Sequence, residues 1–346
     1  MDLTLNEDQR LIASAAREFL GSRAASAGAR SAAAEPDGFS AKLWKEMTEL
    51  GWTGLALPES SGGVGEGFGE LCLVLEELGR ARVPSPLLAT AACCGLPLLS
   101  HGTEAQKSEW LGAITRGTVM SYAAGGGVTF DGNVLDGEVP FVPYAGAAEH
   151  LLVTAGSRAV LVGTADPGVS IEPLDVVGDP LFRVRFADVR VPGSRVLGDG
   201  AADAVTAYGT AATCAEMTGG AQGVLDMTVA YARGREQFGQ AIGAFQAVQH
   251  HCADMAIDVL TSRFIAYEAI WKVASGSPAT EELSLAKSWV SDAYQRVCAL
   301  GHQVHGAIGF TAEHDLHYFT RHAAAAALAF GDAGFHTEQV AVQLGI

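Results

Sequence analysis

The chain has 346 residues, 39 acidic against 22 basic, a formal net charge of −17, and 49% apolar residues. That length holds two or three structural units with ample core, and 18% charged residues is too few for a disordered chain. The acidity argues against nucleic acid, which needs clustered Lys and Arg, and no apolar run reaches the roughly 18 residues of a membrane span.

The start, Met1-Asp2-Leu3-Thr4, has neither a basic region nor an apolar stretch, so no signal peptide is expected. Cysteines at 72, 93, 94, 214, 252 and 298 form no CxxC and no Cys/His metal spacing. Reduced packing thiols and a cytoplasmic location are the expectation. Asn6 followed by Gln9 predicts a capping box opening a helix through Phe19. Ser60-Ser61-Gly62-Gly63-Val64-Gly65 reads as a loop, and Leu71, Leu75 and Leu78 as one helix face.

Near 119 the pattern changes. Leu151-Leu152-Val153 and Val160-Leu161-Val162 are short apolar runs, and Phe182, Val184 and Phe186 alternate with Arg183 and Arg185, the period of a strand. Helical spacing returns after about 203, with Val248, Cys252, Met255 and Val259 on one face and Val290, Tyr294 and Val297 on another. Helices are predicted at about 204–234, 242–274, 280–301 and 315–343. The predicted class is α+β, mostly α: an N-terminal helical domain (1–118), a small middle β domain (119–200) and a C-terminal four-helix bundle (201–346). The Gly125–Gly127 run lacks GxGxxG spacing, a following helix and a Lys, so it reads as a loop. The histidines show no HExxH and no ligand spacing, so no metal site is expected and they read as structural or surface groups.

Seven segments in order resemble the flavin-dependent acyl-CoA dehydrogenases. They are Leu5-Asn6-Glu7-Asp8-Gln9; Glu49-Leu50-Gly51-Trp52 with Pro58-Glu59 and Gly62-Gly63; and Glu76-Glu77-Leu78-Gly79-Arg80. Then come His101-Gly102-Thr103-Glu104-Ala105-Gln106-Lys107, and Phe186-Ala187-Asp188-Val189-Arg190-Val191-Pro192. The last two are Arg235-Glu236-Gln237-Phe238-Gly239 with Phe245-Gln246, and Gln303 with Gly306 and Gly309. The resemblance implies an acyl-CoA dehydrogenase fold and oxidation of an acyl-CoA thioester to the trans-2-enoyl-CoA. In that chemistry a carboxylate takes the α-proton and FAD takes the β-hydrogen as hydride. It also implies a flavin site built from two chains. The ring lies on one chain's β domain, and the ADP half lies on the neighbour's helices.

The resemblance carries the ADP half onto Arg235, Phe238, Gln246, Gln303, Gly306 and Ala307, the last standing where the family has a second glycine. A guanidinium suits a pyrophosphate. The ring half is another matter. Where the family has "TEPxxGSD", this chain reads Ser121-Tyr122-Ala123-Ala124-Gly125-Gly126-Gly127-Val128, shortened and without the Thr, Glu, Ser and Asp. Where the tryptophan strand belongs stands Glu138-Val139-Pro140-Phe141-Val142-Pro143-Tyr144. Counting without a gap from Gln303, the base position falls on Phe330, within Ala329-Phe330-Gly331-Asp332, and the family's Arg-Asp pair reads Arg321-His322. The alternative base position falls on Gly209, followed by Thr210. Neither residue takes a proton, so no catalytic residue is assigned to this chain, with Asp332 and Glu216 the nearest carboxylates in sequence.

The expectation is a subunit of an α2β2 acyl-CoA dehydrogenase of fatty-acid β-oxidation or steroid breakdown. It would lend the ADP half of an FAD site to a second acyl-CoA dehydrogenase subunit that carries the base and the acyl-CoA site. An electron-transfer flavoprotein or similar acceptor would take the electrons. Two alternatives stand beside it: a homomeric dehydrogenase using a displaced carboxylate such as Asp332, and a flavin-free acyl-CoA-binding or scaffold protein.

Overall fold

Asn6 and Gln9 cap the first helix reciprocally, the Asn6 side chain accepting from Gln9 N at 2.8 Å and the Gln9 side chain from Asn6 N at 3.1 Å. A computed structural model of the chain describes residues 4–176 and 178–346, the side chains of 24–27 excepted; Met1-Asp2-Leu3, read above for a signal peptide, lies outside the described residues. Helices α1 (Glu7–Ala27), α2 (Ala29–Ala32), α3 (Ala41–Glu49), α4 (Phe68–Ala81), α5 (Leu96–His101) and α6 (Glu104–Thr115) come first. Strands β1 (Met120–Ala123), β2 (Thr129–Phe130), β3 (Val134–Pro143), β4 (His150–Ala155), β5 (Arg158–Gly163), β6 (Val169–Pro173) and β7 (Leu181–Arg190) follow. Then come α7 (Ala201–Gly234), a hairpin of β8 (Glu236–Gln237) and β9 (Gln240–Ala241), α8 (Gln246–Ala274), α9 (Thr280–His305), α10 (Leu316–Leu328) and α11 (Ala333–Leu344). No helix among the described residues is long and apolar enough to cross a membrane.

The chain divides into two compact units. One, Ser31–Leu71 with Pro84–Gly209, holds the sheets. Strands β1, β4 and β5 form one, with β1 parallel to β4; β2, β3, β7 and β6 form the other, all antiparallel. Leu151, Leu152 and Val153 on β4 and Val160, Leu161 and Val162 on β5 are fully buried, which is why these strands read as continuous apolar runs. On β7, Val184 and Phe186 turn inward while Arg183 and Arg185 turn outward to pair with Glu138. Thr103 and Gln106 form a capping box on α6, and the Gln106 amide also donates to the carbonyls of Ser194 and Val196 at 2.8 and 2.9 Å.

The other unit, Met1–Arg30, Cys72–Val83 and Thr210–Ile346, is helical. Its tightest contact is backbone on backbone. A Cβ on Gly79 of α4 would meet the Glu216 carbonyl oxygen at 2.0 Å, and one on Gly219 of α7 would meet the Glu76 carbonyl oxygen at 1.8 Å. The closeness buries Glu76 and Glu77, and buried carboxylates require partners. Glu77 takes a bidentate pair from Arg17 of α1 at 2.6 and 3.1 Å. Glu76 takes Arg263 at 2.9 Å and the Tyr267 hydroxyl at 2.7 Å, both from α8. Burial, then the adjacent Glu76 charge, raises the Tyr267 pKa, so the phenol keeps its proton and donates. Arg80 grips Asp226 of α7 at 2.6 and 2.8 Å.

The sequence predicts one helix over about 315–343, and the structure has two. Ala329 is extended, and Phe330 (φ +57°) and Gly331 (φ +99°) are left-handed, so the helical hydrogen-bond run stops at Leu328 and restarts at Ala333. Asp332 caps the restart, accepting from Phe335 N at 2.8 Å.

Gly219→Ala is expected to lower stability by about 3 kcal/mol or more, since no side-chain rotation relieves a clash with a carbonyl oxygen. Gly21→Ala on exposed α1, where a Cβ meets nothing within 4 Å, is expected to raise stability by roughly 0.5–1 kcal/mol. Urea unfolding of the two variants measures both.

Candidate functional site

The six residues singled out above lie at the end of α7 and the start of α8, or at the end of α9, and all six are exposed. Helix α7 ends at Gly234, and Arg235 N still donates to Tyr231 O at 2.9 Å. Ile242 N returns to Arg235 O at 2.8 Å, closing the β8–β9 hairpin. Its two tip residues, Phe238 (φ +54°) and Gly239 (φ +80°), are both left-handed, as a two-residue primed turn requires. Phe238 is 93% exposed and lies edge-to-face with Phe245, centroids 6.0 Å apart. No ion pair or side-chain hydrogen bond engages the Arg235 guanidinium among the described residues. Gln246 opens α8, its side chain exposed.

At the second helix end, Gln303 lies in the last turn of α9 rather than in the turn beyond it, facing solvent between buried His302 and Val304. Gly306 ends the helix at φ +63°, ψ −141°, a conformation nearly confined to glycine. A Cβ there would meet nothing within 4 Å, so its backbone is open to approach. Ala307 follows, exposed. A ring stack joins the two ends: Tyr231 on α7 lies against His305 on α9, centroids 4.5 Å apart and planes 21° apart. The site thus offers a free guanidinium, an exposed aromatic ring, two amide side chains and open backbone. These are the groups that bind a phosphorylated nucleoside.

The resemblance carries the ring half onto the loop at 121–128 and onto β3. Gly125 and Gly126 are both left-handed, and a Cβ on Gly126 would meet the Glu138 carbonyl oxygen at 2.7 Å. On the opposing strand a Cβ on Gly137 would meet the Gly127 carbonyl oxygen at 2.2 Å. The shortened loop therefore lies in backbone contact with β3. Pro140 and Pro143 contribute no N–H there, and the β3–β7 register shifts between Val139 and Val142.

No carboxylate stands at either base position. Phe330 occupies the break between α10 and α11, and Gly209 and Thr210 are buried within α7. Asp332 is engaged as a helix cap. Glu216 lies 3.7 Å from His322 Nε2, beyond hydrogen-bond range. Among the described residues no group of three His, Cys, Asp or Glu side chains is arranged to hold a metal.

Residues 6–118 match the family model "Acyl-CoA dehydrogenase, N-terminal domain", and 198–345 match "Acyl-CoA dehydrogenase, C-terminal domain". The acyl-CoA dehydrogenase IpdE2 of Mycolicibacterium smegmatis is 31% identical over 92% of this chain and 93% of its own length. The chain belongs to the acyl-CoA dehydrogenase family. Among solved structures, a chain of the ChsE4–ChsE5 complex from Mycobacterium tuberculosis superposes with a TM-score of 0.93 at 27% identity, covering 100% of this chain and 99% of that one. A variant of the steroid ACAD Tcur3481–Tcur3483 gives 0.92 at 28% identity, covering 99% of each chain.

One residue of this acyl-CoA dehydrogenase, at the break between α10 and α11, escaped the sequence reading. Lys287 of α9 is fully buried. Its ammonium donates to Ala327 O at 2.8 Å, Gly331 O at 2.9 Å and Ser291 Oγ at 3.1 Å, and His336 Nε2 donates to Phe330 O at 3.0 Å. Together they hold the carbonyls released where α10 breaks. The signal was present: Lys287 interrupts the apolar stripe of Leu283, Ala286, Val290 and Tyr294.

Burial lowers the Lys287 pKa from 10.5 to about 8. Between those values the folded state holds fewer protons than the unfolded one, so stability rises with pH. The contribution is complete above about 10.5 and is lost as pH falls toward 8. Wild-type stability is expected to climb by roughly 1–3 kcal/mol across that window relative to Lys287→Met. Guanidinium unfolding of the two proteins at a series of pH values measures the difference in slope.

Proposed function

We propose that this chain is the base-less subunit of a heteromeric, FAD-dependent acyl-CoA dehydrogenase, lending the ADP half of the flavin site to a partner subunit. One observation carries the reading: the losses and retentions fall on opposite halves of the site. The helix ends keep an unpaired Arg235 beside open backbone at Gly306. The β unit has its loop in backbone contact with β3 and Phe330 where a carboxylate would be.

In this reading Arg235 takes the pyrophosphate through paired N–H donors and Gln246 its sugar side. Phe238 packs on the cofactor, and Gln303 with the backbone of Gly306 and Ala307 meets the ADP moiety. The flavin, when bound, supplies hydride acceptance. The partner holds the ring, the acyl-CoA and the base that takes the α-proton. The reading includes an α2β2 assembly in the cytoplasm and an electron-transfer flavoprotein or similar acceptor. It divides the chain into an N-terminal helical domain (1–118), a middle β domain (119–200) and a helical bundle (201–346). The ChsE4–ChsE5 structure is of a complex of two proteins, and the Tcur3481–Tcur3483 structure is of a steroid ACAD. Their likeness supports a heteromer acting on a bulky acyl-CoA such as a steroid side-chain ester.

The test is purification alone and with the relative that keeps "TEPxxGSD" and the glutamate. Flavin absorbance near 450 nm and turnover are expected only in the co-purified complex. Arg235→Ala in that complex is expected to weaken FAD by about 10–100-fold, the range of a lost charge-assisted pair. Stoichiometric FAD and turnover in the chain alone would overturn the reading.

A further inference from the structure

We infer that Tyr231 and His305 are positioning residues whose ring stack fixes the Arg235 arm against the Gly306 turn, and that the stack holds only while His305 is neutral. What the two segments bind rests on the function proposed above; that they are held together by one neutral ring pair is a property of this chain.

Tyr231 lies one helical turn before Arg235, and His305 directly precedes Gly306. The stack is therefore a direct contact between the helix ends that carry the two segments. Hydrogen-bond partners fix every imidazole around it. His305 Nδ1 is 2.8 Å from Gly301 O, which only accepts, so the proton is on Nδ1; Nε2 is a bare lone pair, buried and without a partner. His302 Nε2 is 2.8 Å from Thr320 Oγ1, whose own proton goes to Leu316 O, so His302 donates and its buried Nδ1 is bare. His314 Nδ1 accepts from Leu316 N at 3.2 Å, and His317 Nδ1 donates to His314 O at 2.7 Å. The contacts of His302, His305 and His314 are ones that neutral imidazoles make.

A proton added at His305 Nε2 finds no acceptor. The His305 ring lies edge-to-face with His314, centroids 4.7 Å apart. The nearby carboxylate, Asp315, is held by Arg30 at 2.7 and 3.1 Å, and Arg30 also takes the carbonyls of Ala312 and Glu313. Arg30 adds positive charge beside His314. The Tyr231 face attracts a cation, but by less than an unpartnered buried charge costs. Burial first, and the neighbouring imidazoles second, push His302 down, and His305 and His314 are also pushed down, mainly by burial. The neutral arrangement thus contributes stability above the ordinary imidazole pKa, and that contribution is lost as pH falls below it.

Amide hydrogen exchange on the co-purified complex, corrected for intrinsic rate, tests this over 228–242 and 301–315 at pH 7.5 and 5.5. Acidification is expected to speed exchange in both segments together, by tenfold or more. His305→Phe keeps a ring on Tyr231 but takes no proton, and is expected to abolish that acid response. Tyr231→Ala is expected to loosen both segments at pH 7.5, and Tyr231→Phe to restore them. Flavin content of the complex should follow the same order. Loosening of one segment without the other in Tyr231→Ala, or an unchanged acid response in His305→Phe, would overturn the inference. If His305→Phe does not fold, the Tyr231 pair decides. A complex that holds no flavin at any pH defeats the proposed function, and the exchange result still decides the stack.

Discussion

The helical unit depends on the close crossing of α4 and α7. Glycines at 79 and 219 bring backbone against backbone, and the depth of that contact takes Glu76 and Glu77 out of water. Two buried carboxylates on successive residues are tolerable only if each meets a cation, and the cations come from different helices: Arg17 from α1 for one, Arg263 from α8 for the other. Such pairs add little net stability over well-packed apolar groups, because desolvation offsets attraction. They set geometry instead. Sliding α8 by one turn leaves Glu76 without a partner, a cost of about 3–5 kcal/mol. The segment "EELGR" is therefore the keystone of the bundle, and the hairpin that joins α7 to α8 takes its place from the helices it links.

Local signals were legible in the sequence and distant ones were not. The Asn6–Gln9 box, the alternation on β7, the apolar run of β4 and the stripe of α9 were all readable, since each needs only residues within one or two turns. The break between α10 and α11 was not. A run of alanines from Ala323 to Ala327 favours a continuous helix. What supports the break is Lys287, forty residues earlier in the chain, holding the freed carbonyls. The ion pairs of Glu76 and Glu77 were equally hidden, because their partners lie 60 to 191 residues away. Family resemblance picked out the residues of the candidate site. Only the structure showed that Arg235 has no partner among the described residues and that Tyr231 and His305 join the two ends.

The two halves of the chain differ in how they treat an empty position. In the β unit the loop and β3 have closed on each other, and Glu138 is occupied by Arg183 and Arg185. At the helix ends the reverse holds. Phe238 sits in a left-handed conformation at 93% exposure, which costs a residue other than glycine about 1–2 kcal/mol. A strained, exposed aromatic beside an unpaired guanidinium is the pattern of a surface whose partner lies elsewhere.

The net charge of −17 limits how such a surface works. An acidic chain does not draw a pyrophosphate from a distance, and its field is screened beyond about 8 Å at physiological salt. Most of its arginines are also committed: those at 17, 30, 80, 158, 183, 185, 195, 263 and 296 all form ion pairs. In the proposed function Arg235 would act at contact range, on a phosphate already brought to it. That is a poor design for capturing a free dinucleotide and a workable one for closing over a cofactor held mainly by another chain. The charge balance, the free guanidinium and the closed β loop all fit a chain that completes a site it does not hold alone.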